Sequence, residues 1–304
     1  MRLGRKEIIG FSRIKKGDVF AVVSTSGPVS KRDIKKSVSV FRKNGFELRL
    51  LSSVFKRDGY LAGSDEDRFF DLKDALLNEE YKAILFSRGG YGSMRLLSRL
   101  STVKLLSPKP IFGFSDTTAL HVFFNRLNWI TFHSPNLNGF FNLSSYAKNL
   151  FFNIITGKVD FREIRYKAIL KLYGGRAEGI LIGGNLSMIS ALSGTRFDID
   201  LRDKILFIED IGEKPYRIDR MLTQLTLRED VRYLRGIVFG KFTDCGDGLV
   251  IKRILSEFSY KIKRPAIYGI DVGHIKNNMI LSLGTNYLLH ADKKLLIPLE
   301  RVFL

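Results

Sequence analysis

Residues 111–120 read Ile111-Phe112-Gly113-Phe114-Ser115-Asp116-Thr117-Thr118-Ala119-Leu120, and their pattern decides the fold. A short apolar run ends in Gly113 and a small polar cluster follows. Apolar residues then recur at Ala119, Leu120, Phe123, Phe124 and Leu127. That spacing predicts a buried strand, a tight turn and a helix. Ser115 falls in the turn, at the carboxyl end of the strand, where the first amides of a helix can stabilise developing negative charge. The stretch is like a nucleophile elbow, although Thr117 stands where the second Gly of G-x-S-x-G would be. A second reading makes Ser115 only the N-cap of the helix, a role serine often fills.

The same strand–turn–helix grammar extends on both sides. Residues 13–23 lead into a buried first strand that ends in Ser24-Thr25-Ser26-Gly27-Pro28. The small residues of that loop allow close approach of a ligand, or simply a tight turn. Asp33 to Asn44 has helical spacing, and Asn44-Gly45 is a C-terminal signal. Residues 46–50 alternate as a strand, Asp65 to Asn78 reads as a helix, and Tyr81 to Phe86 as a strand. Next comes Ser87-Arg88-Gly89-Gly90-Tyr91-Gly92-Ser93, where three glycines in four residues expose backbone amides before a helix. Such a loop binds phosphate or an oxyanion, or merely turns the chain. It lacks the Lys-Ser/Thr of a P-loop. A strand at 129–132 then meets the turn His133-Ser134-Pro135-Asn136. Four such alternations predict a parallel, doubly wound, Rossmann-like sheet with functional loops at the strand carboxyl ends.

Residues 141 to about 173 show no clear period, so the boundary is expected there: 1–150 as an N-terminal domain, 151–173 as a linker, 174–304 as a smaller C-terminal α/β domain. In the second half, strands are expected at 178–184, 204–208, 237–240, 266–270, 287–290 and 295–299, with a helix from about Arg217 to Arg228. The strand at 204–208 is expected to end at Glu209-Asp210.

Length and composition set the outer limits. A chain of 304 residues holds two domains of ordinary size, and 45% hydrophobic residues with 7 Pro indicate a globular protein. No apolar run approaches the ~18 residues that span a bilayer, and no membrane partner is expected. The segment Ile8-Ile9-Gly10-Phe11, after the basic Arg2, Arg5 and Lys6, is too short for a signal sequence. A lone cysteine, Cys245, is compatible with a reducing cytoplasm. The net charge of +19 is spread along the whole chain in singles and pairs, with no nucleic-acid-binding motif. No nucleic-acid partner is expected; a generally basic proteome, or a multiply anionic small substrate, accounts for the charge as well.

A serine nucleophile needs a base, and there are four histidines: His121, His133, His274 and His290. His121 follows Ser115 on the same helix, as a packed or exposed residue, and His290 sits inside a strand. His133 and His274 each follow an apolar strand in a turn, and His274, beside Gly273, is the better candidate. Glu209 and Asp210 end an apolar strand, where a carboxylate is costly unless partnered. The order Ser115, Glu209, His274 is that of α/β-hydrolases. No H-E-x-x-H or C-x-x-C is present, so no metal is expected.

Taken together, several motifs resemble the LD-carboxypeptidase family of serine peptidases. They are Lys16-Gly17-Asp18, Ser87-Arg88-Gly89-Gly90-Tyr91-Gly92, Gly113-Phe114-Ser115-Asp116-Thr117, Gly183-Gly184-Asn185-Leu186, Glu209-Asp210 with Tyr216-Arg217-Ile218-Asp219-Arg220, and Gly273-His274. They occur in family order and span nearly the whole chain. The family holds murein tetrapeptide carboxypeptidases of the cytoplasm and relatives that give immunity to microcin C. The resemblance implies Ser115 as nucleophile, His274 as base and Glu209 as orienting acid, with the amides of Gly90 and Asp116 as oxyanion hole. It also implies a murein peptide as substrate and a homodimer. Arg88, Gly89 and Asn185 are expected to contact the peptide, Arg88 equally serving as a brace of its own loop, and no cofactor is expected. Three turns depart from the family pattern: His133-Ser134-Pro135, Ser282-Leu283-Gly284 and Thr25-Ser26. They bear on substrate fit. A non-catalytic ligand-binding module, using Gly89-Gly90 and Ser24–Pro28, is the alternative from another class.

Overall fold

The computed structural model describes residues 10–304, so the basic N-terminus with Ile8-Ile9 lies outside the described residues. The first five strands are β1 (Val19–Val23), β2 (Glu47–Leu50), β3 (Tyr81–Phe86), β4 (Ile111–Gly113) and β5 (Thr131–His133). They are all parallel, in the spatial order 5-4-3-1-2. Between them run α1 (Lys31–Lys43), α2 (Asp65–Leu77), α3 (Ser93–Leu100) and α4 (Thr118–Arg126). The order reverses between β1 and β3, which makes their carboxyl ends the topological switch point where such sheets bind ligands. Local chemistry sets the boundaries: α2 starts at a capping box between Ser64 and Asp67, and α1 at the Ser30 cap. Phe20, Phe41, Phe112, Phe132 and Phe151 are fully or almost fully buried beneath this sheet.

Helix α5 (Leu137–Phe140) follows β5, and residues 141–173, expected to be irregular, hold α6 (Ser145–Ile155) and strands β6 (Tyr166–Lys167) and β7 (Leu170–Tyr173). In α6, Phe151, Phe152, Ile154 and Ile155 are nearly consecutive and all buried, so no single apolar stripe betrays the helix. The second sheet adds β8 (Arg176–Asn185), β9 (Lys204–Ile211), β10 (Gly236–Thr243) and β11 (Ala266–Tyr268) as its parallel centre. Helices α7 (Leu186–Leu192), α8 (Pro215–Thr226) and α9 (Gly248–Ile262) connect them, α9 being unforeseen from the sequence. Strands β13 (Asn286–His290) and β14 (Leu295–Pro298), with β6 and β7, complete eight strands by antiparallel pairing.

Two features join the halves. Strand β12 (Leu281–Leu283) leaves the second half and pairs antiparallel with β5, as the edge of the first sheet. Phe11 bridges to Phe303, so the chain's last residues also pack on the first half. A single apolar cluster runs from Val23, Leu120 and Phe124 through Ile182 and Leu186 to Leu222. Among the described residues no helix is long and apolar enough to cross a membrane.

Candidate active site

The turn after β4 takes a conformation that L-residues avoid. Ser115 has φ +67°, at the head of a short 3-10 turn (Ser115–Thr117) that runs into α4. A left-handed serine costs about 1–2 kcal/mol and persists only when its surroundings hold it. Those surroundings are the switch-point loops. Gly27 N–H donates to Gly89 O at 3.2 Å, which ties the β1 loop to the β3 loop. A Cβ added to Gly89 would lie 2.8 Å from both Cβ and Oγ of Ser115, so only glycine lets that loop lie against the serine. Gly90, with φ +116°, is exposed beside it, and its N–H has no hydrogen-bond partner among the described residues.

The side chain of Asp116 is buried and serves as a brace. It accepts hydrogen bonds from Ser26 Oγ and from Ser93 N at 2.8 Å, joining the β1 loop to the start of α3. Burial pushes its carboxyl above the ordinary value, against those hydrogen bonds. A second brace, Arg68, was missed from sequence. Fully buried on α2, it donates to Thr25 O and to Gly92 O (3.0 Å) and pairs with Asp65. Nothing local marks a helix arginine as the support of a glycine loop.

The other half of the site comes from β9 and the return segment after β11. Strand β9 does not stop at Glu209-Asp210 but continues to Ile211, because both carboxylates find partners inside the fold. Asp210 accepts from Asn185 Nδ2 (2.8 Å), Ser187 Oγ (2.7 Å), Ser187 N and its neighbour Ile211 N. Asn185 also caps α7, and its own N–H donates to Thr118 Oγ1 on α4 at 2.9 Å. Gly184 (φ +145°) permits that contact, since a Cβ there would clash with Thr118 Oγ1. Hence the second sheet is keyed to the first turn of the helix that follows Ser115.

Glu209 is wholly buried, and its Oε2 lies 2.7 Å from Nδ1 of His274, whose side chain keeps 15% exposure. The pairing of β9 with β10 shifts register between Phe239 and Phe242, beside Glu209. Gly240 and Gly273 give the acid room, because a Cβ on either would come within 3.2 Å of Glu209 atoms. Burial pushes the Glu209 carboxyl up, but His133 and His274 on its two sides outweigh it and hold it below the ordinary 4.5. Nε2 of His133 lies 3.6 Å from Glu209 Oε1, and both residues are fully buried. The Phe114 ring packs on both imidazoles, at 4.5 Å from His274 and 5.5 Å from His133.

The other two histidines lie elsewhere. His121 is fully buried, not exposed, with Nε2 2.9 Å from Gly113 O, and burial pulls its pKa down to about 3. His290 accepts from Arg176 Nε at 2.9 Å. Among the described residues no three His, Cys, Asp or Glu side chains converge as a metal would require.

These two halves face one cleft of approximately 970 Å³. Arg88, Gly89, Gly90, Ser115, Asp116, Asn185 and His274 all line it, and Glu209 stands behind His274. Lys276 and Arg88 supply the cleft's positive charge, and Glu213, paired with Arg217 at 3.4 Å, is a carboxylate at its edge. Arg88 donates from Nη1 to Pro28 O at 2.8 Å, so it braces its loop while reaching the cleft.

Comparison with known proteins agrees with this architecture. Residues 20–134 match the LD-carboxypeptidase N-terminal domain, and residues 178–289 the LD-carboxypeptidase C-terminal domain. The chain is 30% identical to a probable murein peptide carboxypeptidase of Bacillus subtilis, over 92% of this chain and 91% of that one. It is 30% identical to the murein tetrapeptide carboxypeptidase of Pseudomonas aeruginosa, over 90% and 93% of the two chains. The solved structure of MccF in complex with glutamyl sulfamoyl guanosine superposes with a TM-score of 0.84 at 22% identity, covering 97% of this chain and 99% of that one. Its two matched domains and its full-length relatives thus make this chain a member of the LD-carboxypeptidase family.

Proposed function

We propose that the protein is a serine LD-carboxypeptidase that removes the terminal D-alanine from murein tetrapeptides, as a cytoplasmic homodimer acting in peptidoglycan recycling. The observation that carries this reading is the Glu209–His274 hydrogen bond, at 2.7 Å, on the cleft that Ser115 lines from its left-handed turn. With Nδ1–H donated to Glu209 Oε2, the other ring nitrogen of His274 is the free base. It takes the proton of Ser115 Oγ as that oxygen attacks the carbonyl before the terminal residue. The amides of Gly90 and Asp116 receive the oxyanion, and the developing imidazolium is stabilised by the buried carboxylate. His274 then protonates the departing amine of D-alanine. Water, activated by the same imidazole, hydrolyses the acyl-enzyme and frees Ser115. Arg88, Gly89 and Asn185 would contact the peptide, whose carboxylates suit the basic Arg88 and Lys276 along the cleft.

A second substrate reading rests on the likeness to MccF, whose solved complex holds glutamyl sulfamoyl guanosine. The same triad would then hydrolyse an amide bond of a peptidyl nucleotide. The test is D-alanine release from a murein tetrapeptide by the wild type and by Ser115→Ala, Glu209→Ala and His274→Ala, with a peptidyl nucleotide and a fluorophosphonate probe alongside. Release by the wild type alone is the expected result. Labelling of Ser115 with cleavage of only the nucleotide substrate would transfer the activity to the second reading. With no turnover and no labelling, the cleft is a binding site rather than a catalytic one.

A further inference from the structure

His133 lies fully buried behind the cleft, on the far side of Glu209 from His274, and the mechanism above leaves it without a task. It ends β5, with Gly113 of β4 and Leu281 of β12 as its strand partners, so its backbone is fixed from both sides. Its ring is fully buried between Phe114 (5.5 Å) and Phe207 (5.1 Å). Neither ring nitrogen has a hydrogen-bond partner among the described residues, and the same holds for Glu209 Oε1, which lies 3.6 Å from His133 Nε2. Two unpaired, fully buried polar atoms facing one another are costly, and a shift of about half an ångström would satisfy both.

We propose that His133 is a positioning residue: it donates Nε2–H to Glu209 Oε1 and so fixes the carboxylate whose other oxygen holds His274. This inference rests on the serine-hydrolase reading of the site. A carboxylate held only through Oε2 can pivot about its Cγ–Cδ bond; one held at both oxygens cannot, and the imidazole it orients stays aimed at Ser115. The contact also spans the two sheets, since His133 belongs to the first and Glu209 to the second. The charged or titratable groups facing His133 are Glu209, with His274 beyond it, and the neutral His121 on α4. Donation to Oε1 draws negative charge from Oε2, so losing it strengthens the carboxylate's hold on protonated His274.

The test is the rate at which a fluorophosphonate labels Ser115, followed across pH, in the wild type and in His133→Gln, His133→Met and His133→Phe. This readout needs no knowledge of the natural substrate. The expected result is a plateau rate roughly tenfold lower in the Met and Phe variants, with the acid limb moved to higher pH. Gln, which presents an N–H donor near the position of Nε2, should restore most of the rate and the wild-type limb. Should the Phe variant fail to fold, the Gln–Met pair asks the same question with side chains of similar length. Equal rates and limbs in all variants would overturn the proposal, as would equal losses in Gln and Met, because then shape rather than donation matters. An unlabelled wild-type Ser115 would instead overturn the hydrolase reading beneath it.

Discussion

The two walls of the cleft are held in place by different physics. The wall that carries Ser115 is held by conformation: a serine at φ +67°, Gly90 at +116° and Gly92 at +144°, interlocked through backbone contacts and braced by Arg68 and Asp116. The wall that carries Glu209 and His274 is held by buried charge, within a sheet whose strand β9 continues past both carboxylates. A reactive hydroxyl needs an exposed, sharply turned backbone, whereas an acid–base pair needs a low-polarity setting that strengthens its electrostatics. The first wall should therefore fail when its shape changes, and the second when its charge does.

Glu209→Gln is the largest expected break. It preserves shape but lets the amide hold His274 in the wrong tautomer, and turnover should fall about 10⁴-fold. Thermal unfolding across pH gives a second readout. Since the folded Glu209 titrates below its ordinary 4.5, it contributes stability above that pH and loses it as the pH drops toward the folded value. The melting-temperature gap between wild type and Glu209→Gln should accordingly be constant near neutrality and narrow below about pH 4.5. A gap that widens in acid would contradict the sign.

Gly89→Ala probes the other wall by shape alone. Its Cβ would press on Ser115 Cβ and Oγ at 2.8 Å. Displacing the proposed nucleophile by up to about an ångström should lower kcat about 10²-fold, with the fold retained. Full activity in this variant would mean that the two loops can separate freely.

Smaller still is the strain at Ser115. Both Ser115→Ala and Ser115→Gly should be inactive, but Gly is at ease at φ +67° and Ala is not. The Gly variant is expected to be the more stable by about 1 kcal/mol, seen as a melting temperature a few degrees higher. Equal stability would show that the turn stores no strain. Least of all, Arg88→Gln should raise KM for an anionic peptide about two- to fivefold, an effect that shrinks with added salt. An unchanged KM would leave Arg88 only its bond to Pro28 O.

The two walls also differed in how much of them could be read from the sequence. Ser115, the Arg88–Gly92 loop and the bounds of α2 and β3 are written in local turn and cap chemistry, which acts within a few residues. Glu209 was legible as a carboxylate in an apolar strand, yet its strand was expected to end there, because the partners that keep Asp210 inside, Asn185 and Ser187, come from another strand end and the helix after it. The approach of His133 to Glu209 crosses two sheets, and no local signal reports it. Arg68 likewise reads as an ordinary helix residue until its burial is seen. Helix α6 escaped notice for the opposite reason: it is apolar on too many sides to show a period.

The pairing of β12 with β5 has a consequence for how the protein is made. The edge of the first sheet is supplied by residues 281–283, and His274 sits on the segment that carries the chain back to it. A ribosome that has delivered the chain through β5 has produced the Ser115 turn with an uncovered sheet edge and without His274, its proposed base. Until residues 281–283 emerge, β5 presents unpaired backbone groups to any neighbouring strand. Chains that stop short of β12 should therefore be prone to aggregate and, on the proposed mechanism, hydrolytically silent, so the proposed activity waits on delivery of residues 274–283.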